Sequence, residues 1–222
     1  LHLKENDHEG NLIVRVNPIT DETGKEDIKL LTQTDLSISA FILPKVEDSA
    51  LISELPDINI IALLETPKSI KNISDIASQD KVKGLALGGA DLSASLGSTM
   101  NWDSLLYARS KIVLEAAING LFSIDSPFMN IEDLDSLRKE SKKAKDLGFN
   151  GKAAIHPSQL EIIKSSFLPS DEEILEAKEI INAFNQSPSA VISFRGRMID
   201  QPIILSMETR LRLVGIDPKN ID

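Results

Sequence analysis

Glu65 and Asp91 are the residues whose type and position say most about chemistry. Glu65 closes a short apolar run, residues 58–64 (INIIALL), and is followed by Thr66-Pro67. Asp91 follows a second run, residues 82–87 (VKGLAL), just past Gly88-Gly89-Ala90. Neighbouring strands lie about 4.8 Å apart, so carboxylates at adjacent strand ends can converge on one cation. Two carboxylates with open positions suit Mg²⁺, which keeps waters and takes substrate oxygens; the same ligands accept Mn²⁺. The competing reading is that each carboxylate caps a neighbouring helix N-terminus.

Other polar residues cluster at the same ends of successive runs: Arg15 and Asn17, Lys45 and Glu47, Asp125, and Lys152 with His156. In a barrel or a doubly wound sheet those ends form one functional face, so all are candidate pocket residues. Arg15 lies inside the run V-R-V-N. An arginine in a buried strand is costly unless paired. Its two readings are an ion pair with a carboxylate such as Glu65 and recognition of an anionic substrate. His156 ends a run and precedes Pro157; it reads as a hydrogen-bonded loop residue or as a catalyst.

The elements that must position these residues are legible as an alternation. Apolar runs at residues 11–17, 39–43, 58–64, 82–87, 120–124 and 151–155 are each too short for a helix and end in turn chemistry. Between them, residues 69–78, 102–119, 131–147 and 157–166 carry apolar residues at helical spacing, and Ile112, Leu114, Ala116, Ala117 and Leu121 are expected to face a core. Gly148 is placed to end a helix in the left-handed conformation. Ser170 with Glu173 is placed to open the next, residues 171–184, as a capping box. Strand–helix alternation predicts parallel strands joined by crossover helices. Six strands satisfy an open doubly wound sheet as they stand, whereas a closed (β/α)₈ barrel needs eight. Residues 186–189 (QSPS) are a turn-rich break.

Composition narrows the classes. Lys+Arg total 24 against 34 Asp+Glu, a formal charge of −10 in 222 residues, which is a poor fit for a nucleic-acid backbone. No apolar run approaches the roughly 18 residues that span a bilayer. With no Cys, disulfides, thiolate metal sites and cysteine nucleophiles are excluded. No strand is followed by a phosphate-binding glycine motif of the common kinds.

Seven segments occur in order: Arg15-Val-Asn-Pro, Leu43-Pro-Lys-Val-Glu, Ala62-Leu-Leu-Glu-Thr, Gly88-Gly-Ala-Asp-Leu, Ile124-Asp-Ser-Pro-Phe, Leu147-Gly-Phe-Asn-Gly-Lys and Ile155-His-Pro-Ser-Gln. Together they resemble the citrate lyase beta-subunit-like (CitE-like) branch of the HpcH/HpaI aldolase superfamily, related to malyl-CoA lyases. The stretch from Ala90 to Gly97 is also similar to the aldolase branch. The resemblance implies an α/β fold, a (β/α)₈ TIM-type barrel. It leaves the first two strand–helix units, and the acidic motif of the second, without a counterpart upstream of Arg15. The expected division is residues 1–185 as barrel strands three to eight, and residues 186–222 as a C-terminal extension packing on a neighbouring subunit.

What the resemblance implies for function is a Mg²⁺-dependent carbon–carbon lyase, or the reverse condensing enzyme. Its substrate would be a 3-hydroxyacyl-CoA such as citryl-, malyl- or citramalyl-CoA, cleaved through a metal-stabilised enolate, with an acyl-CoA and a 2-oxo acid as small-molecule partners. By the same similarity Glu65 and Asp91 hold the metal, and Arg15 faces the oxygen on which negative charge develops. Asp200, in Arg197-Met-Ile-Asp-Gln-Pro, transfers a proton in the active site of a neighbouring subunit; a turn-forming Asp is the alternative. A homo-oligomer, a trimer, is therefore expected, with no nucleic-acid or membrane partner and a cytoplasmic location, or the mitochondrial matrix if a presequence precedes Leu1. The other activities weighed are a pyruvate-dependent class II aldolase acting on free 2-oxo acids and a non-catalytic ligand-binding or assembly protein.

Overall fold

A computed structural model describes residues 12–221. Six parallel strands form one sheet: β1 (Leu12–Arg15), β2 (Ile38–Leu43), β3 (Ile60–Leu64), β4 (Val82–Leu87), β5 (Phe122–Asp125) and β6 (Gly151–Lys152). Their spatial order is their sequence order. A doubly wound sheet reverses order at a switch point. This one never does, so successive crossovers advance in one direction, as they do around a barrel.

The strands form where the chain is β-branched and nearly free of charge, as in Ile60-Ile-Ala-Leu-Leu64. The central strands β3 and β4 are buried on both faces apart from Lys83, as crossover sheets require, whereas β1 exposes Ile13 and Arg15. Pairing of Ile42 with Ile61, Leu63 with Ala86 and Ala86 with Ile124 defines one face. On it Ala40, Ile61 and Ala86 cluster with Ile42, Leu63 and Ile124. The opposite face carries Leu43, Ile60, Ala62, Leu64, Leu85 and Leu87, all buried. Against it pack the crossover helices, α4 (Ile73–Ala77) and α6 (Leu106–Asn119) on β4, and α7 (Leu134–Leu147) on β6.

Local chemistry sets the helix ends. In α3 (Pro67–Lys71), Thr66 accepts from the Ser69 N–H while Ser69 accepts from the Thr66 N–H, a reciprocal cap with Pro at the start. Asp133 caps α7, and Gly148 ends it at φ 112°. The expected single helix over residues 69–78 is broken at Asn72, whose side-chain amide donates to the Glu47 carbonyl. Four helices lacked a strong sequence signal: α1 (Glu22–Thr32), α2 (Ser49–Ser53), α5 (Gly89–Leu96) and α10 (Gln201–Arg212). On α6 the expected stripe is only half right. Ile112 and Ala116 are buried, but Leu114 and Ala117 are exposed, because the buried row runs Leu105, Ala108, Arg109, Ile112, Ala116 at spacings of three and four.

The chain divides into two compact units, Leu1–Gln159 and Leu160–Asp222. The first ends at a short 3₁₀ turn (Pro157–Gln159). The second contains α8 (Leu160–Phe167), α9 (Asp171–Asn185), a hairpin of β7 (Ile192–Phe194) and β8 (Arg197–Ile199), and α10 (Gln201–Arg212). Ser170 and Glu173 form the expected capping box of α9. Its core is Ala177, Ile180, Ile181, Ile199, Ile204, Met207 and Leu211. Beyond the turn-rich break at residues 186–189 the chain forms the antiparallel β7–β8 pair. Among the described residues no helix is long and apolar enough to cross a membrane.

Candidate functional site

Glu65 follows the last residue of β3 and is 4% exposed. Alternation along β3 puts it on the Ile61–Leu63 face. One carboxylate oxygen accepts the Lys45 backbone N–H at 2.9 Å. Lys45 holds the left-handed conformation at φ 52° just past β2. For a residue with a side chain that backbone costs about 1 kcal/mol or more, and such strain tends to collect at functional sites. The strained turn aims its N–H at Glu65.

Gly88 follows β4, and its N–H extends the ladder by donating to the Leu64 carbonyl. A side chain at Gly88 would enter the Glu65 carboxyl group, its Cβ 2.7 Å from Oε2. Gly89 opens α5, and Asp91 lies in the first turn of that helix, where the dipole favours an anion. The two carboxyl groups come within hydrogen-bonding reach of each other. Burial pushes the Glu65 carboxyl above the usual carboxylate range, the hydrogen bond and charge of Asp91 push it further, and the Lys45 N–H and ammonium oppose the rise.

The cap positions of the two following helices are held by other residues. Thr66 caps α3, and Gly88 occupies the cap position of α5. Two adjacent acids, one of them buried, make a site that favours a proton or a divalent cation. Glu65 and Asp91 therefore fit a hard ion such as Mg²⁺, leaving positions for water and substrate oxygens. No group of three or more His, Asp or Glu residues able to hold a metal occurs among the described residues.

Arg15 ends β1, pairs with Ile42, and so belongs to the same face as Ile42 and Ile61. It is exposed and makes no ion pair among the described residues. The expected alternative, a structural pair with Glu65, does not form.

The remaining expected pocket residues separate. Asn17 donates from its backbone N–H and its side-chain amide to Asp27 Oδ2, at 3.0 and 2.8 Å, tying the loop to α1. Glu47 faces Lys68 at 3.4 Å. His156 is exposed; its Nδ1 contacts the Ser158 hydroxyl at 2.8 Å and accepts the Ser158 N–H at 3.2 Å, which shapes the turn into Pro157–Gln159. That geometry matches the loop-residue reading.

Asp125 and Lys152 are a correction. Both are buried, with Lys152 Nζ 2.7 Å from Asp125 Oδ2. Asp125 shares the face of Ser123, whereas Ile124 belongs to the face of Ile61 and Ala86. Its side chain therefore enters the helix-covered layer. There Arg109 Nε donates to Asp125 Oδ1 at 2.8 Å, and Lys152 Nζ also reaches Glu140 Oε1 at 2.7 Å. Arg109 and Glu140 escaped the sequence reading. The available signal was Arg109 standing in the apolar row of α6, between Leu105 and Ile112. Asp200 belongs to the second unit, where it occupies the cap position of α10 without a side-chain cap bond.

Comparison with known proteins follows the geometry. A family model described as HpcH/HpaI aldolase/citrate lyase matches residues 2–157. Mitochondrial citramalyl-CoA lyase of Mus musculus is 32% identical over 219 residues, spanning 86% of this chain and 65% of the mouse protein. The chain thus spans just under two thirds of that relative. The crystal structure of CitE from Mycobacterium tuberculosis in complex with magnesium, acetoacetate and coenzyme A superposes with a TM-score of 0.82 at 30% identity, over 91% of this chain and 78% of that one. The citrate lyase beta subunit of the same organism, complexed with oxaloacetate and magnesium, gives a TM-score of 0.66 at 30% identity, over 71% and 73%.

Proposed function

The chain belongs to the HpcH/HpaI aldolase/citrate lyase family, and from that premise we propose that it is a Mg²⁺-dependent lyase, or the reverse condensing enzyme, acting on 3-hydroxyacyl-CoA thioesters. The observation that carries the proposal is the meeting of Glu65 and Asp91 at the ends of β3 and β4. The relatives named above supply the substrate class: one is a citramalyl-CoA lyase, and the solved neighbours carry magnesium with coenzyme A and acetoacetate or with oxaloacetate.

Glu65 and Asp91 would hold the cation, whose contribution when bound is positive charge beside the substrate's carboxylate and carbonyl oxygens. The Lys45 N–H fixes the Glu65 carboxylate, and Gly88 leaves that carboxylate its space. In the cleavage direction the 3-hydroxyl group loses its proton and the C2–C3 bond breaks. One fragment leaves as a 2-oxo acid; the other, the thioester enolate, takes a proton at carbon. Arg15 is the guanidinium available on this face to stabilise the oxygen on which charge develops. Asp200 of a neighbouring copy is our candidate for the proton transfer; this role rests on the family resemblance and calls for a homo-oligomer, a trimer. Mn²⁺ is expected to substitute for Mg²⁺. The proposed location is the cytoplasm or the mitochondrial matrix.

The test is a panel of acyl-CoA and 2-oxo acid pairs with the full chain. Glu65→Ala and Asp91→Ala should each abolish turnover with the fold intact. Asp200→Asn should abolish turnover while leaving Mg²⁺ affinity unchanged. Full activity in EDTA overturns the mechanism. Turnover of free 2-oxo acids without any affinity for CoA favours the aldolase, and silence across the panel favours a binding or assembly role.

A further inference from the structure

We infer that the buried charge cluster behind β5 and β6 is a positioning device for Asp91, with Arg109 and Ser126 as its working parts. The inference rests on the cation site proposed above. The cluster holds two cations and two carboxylates: Arg109, Lys152, Asp125 and Glu140. Burying such a group is costly, and an apolar core of equal volume is often at least as stable. What the cluster achieves structurally is a grip on one residue. Arg109 Nη2 donates to the Ser126 hydroxyl at 3.3 Å, and Lys152 Nζ donates to the Ser126 carbonyl at 2.6 Å. Ser126 follows β5 directly and is fully buried.

Ser126 in turn lies against Gly89. A methyl group at Gly89 would stand 2.9 Å from the Ser126 hydroxyl and 3.1 Å from its Cβ. On the other side, a methyl at Gly88 would strike Glu65. The Gly88-Gly89 pair is therefore held between Glu65 and Ser126, and it is the start of α5, two residues from Asp91. Arg109 also holds the chain beyond α5: its guanidinium lies 4.4 Å from the centroid of the Trp102 ring, and Nη1 donates to the Trp102 carbonyl at 3.3 Å. One guanidinium thus fixes both approaches to the helix that carries Asp91. Supporting groups of this kind around a metal site commonly change affinity 10- to 100-fold when removed.

The experiment is calorimetric titration of the full chain with Mg²⁺ and with Mn²⁺. It compares the unaltered protein with Asp91→Asn, Ser126→Ala, Arg109→Lys, the Ser126→Ala/Arg109→Lys double variant and Ile112→Val. Near-ultraviolet circular dichroism and urea unfolding are measured on each. Ile112→Val is the control: it loosens the same helix, α6, without touching the cluster. Trp102, the sole tryptophan, gives a second readout through its fluorescence. We expect Ser126→Ala and Arg109→Lys each to weaken cation affinity about tenfold. The double variant should be no worse than Arg109→Lys alone, because the two act through one contact. Ile112→Val should lose stability but not affinity and should keep the Trp102 response to Mg²⁺, which Ser126→Ala, Arg109→Lys and the double variant should lose. Affinity within twofold of the unaltered chain in folded Ser126→Ala overturns the positioning role while sparing the cation site. An unaltered chain that takes up neither ion overturns the cation site and this inference with it. If Arg109→Lys does not fold, Ser126→Ala decides alone, since it removes a single hydroxyl group.

Discussion

Gly88 stands opposite Glu65 across β3 and β4, so close that a methyl group on Gly88 would lie 2.3 Å from Glu65 Cβ. A side chain at Gly88 can be accommodated only if Glu65 moves. Gly88→Ala should push the Glu65 side chain away from Asp91. The expected result is a loss of about 1–3 kcal/mol from overpacking, together with at least a tenfold weaker Mg²⁺ affinity. Urea unfolding and calorimetry check the two parts separately. Unchanged affinity in the folded variant would mean that Glu65 is not a ligand.

The Glu65 carboxyl group titrates above its ordinary value, chiefly through burial and then through Asp91. A group with a raised folded-state pKa stabilises the fold fully below its unfolded value, about 4.3, and that contribution disappears as pH climbs through the folded value. Metal-free protein should therefore lose stability over this rising-pH window, and Glu65→Gln should lack that component. Mg²⁺ needs the ionised form. Binding should release a fraction of a proton where the Glu65 carboxyl is still partly protonated, above its unfolded value, and affinity should fall as pH is lowered. Calorimetry in buffers of different ionisation enthalpy measures the release directly; none at any pH contradicts the raised titration of Glu65.

Asp125 is the acceptor common to Arg109 and Lys152. Asp125→Ala leaves two buried cations with one partly exposed carboxylate, Glu140, and should cost about 3–5 kcal/mol. The surface pair of Lys68 with Glu47 is the contrast. At 3.4 Å and largely exposed, it should contribute no more than about 1 kcal/mol. Denaturant midpoints of Asp125→Ala and Lys68→Ala compare the two, and equal losses would mean that the cluster is solvated in solution.

His156→Ala should leave both turnover and cation affinity unchanged, with a stability change within about 0.5 kcal/mol, as is usual for exposed positions. Its imidazole serves the Ser158 turn. A large loss of turnover at unchanged stability would return His156 to the reacting groups.

The sequence by itself determined the elements and the identity of the acids. Each apolar run ended in turn chemistry, and Val82–Leu87 was legible to the residue. The Ser170–Glu173 cap and the Gly148 stop were equally local, being written in residues three or four apart. The weaker helices were not legible. In α1, Gly24 and two threonines dilute the pattern, and Gly24 is required only because the helix packs on the Asn17 and Pro18 carbonyls. Alternation placed polar residues at one end of every strand, but it could not say which face each side chain takes. That choice follows from inter-strand register, which put Glu65 beside Gly88 on one face and sent Asp125 and Lys152 into the helix-covered layer on the other. Only tertiary structure could decide it, because register is fixed by pairing between segments 19 or more residues apart, and a shift of one residue exchanges the two faces of a strand.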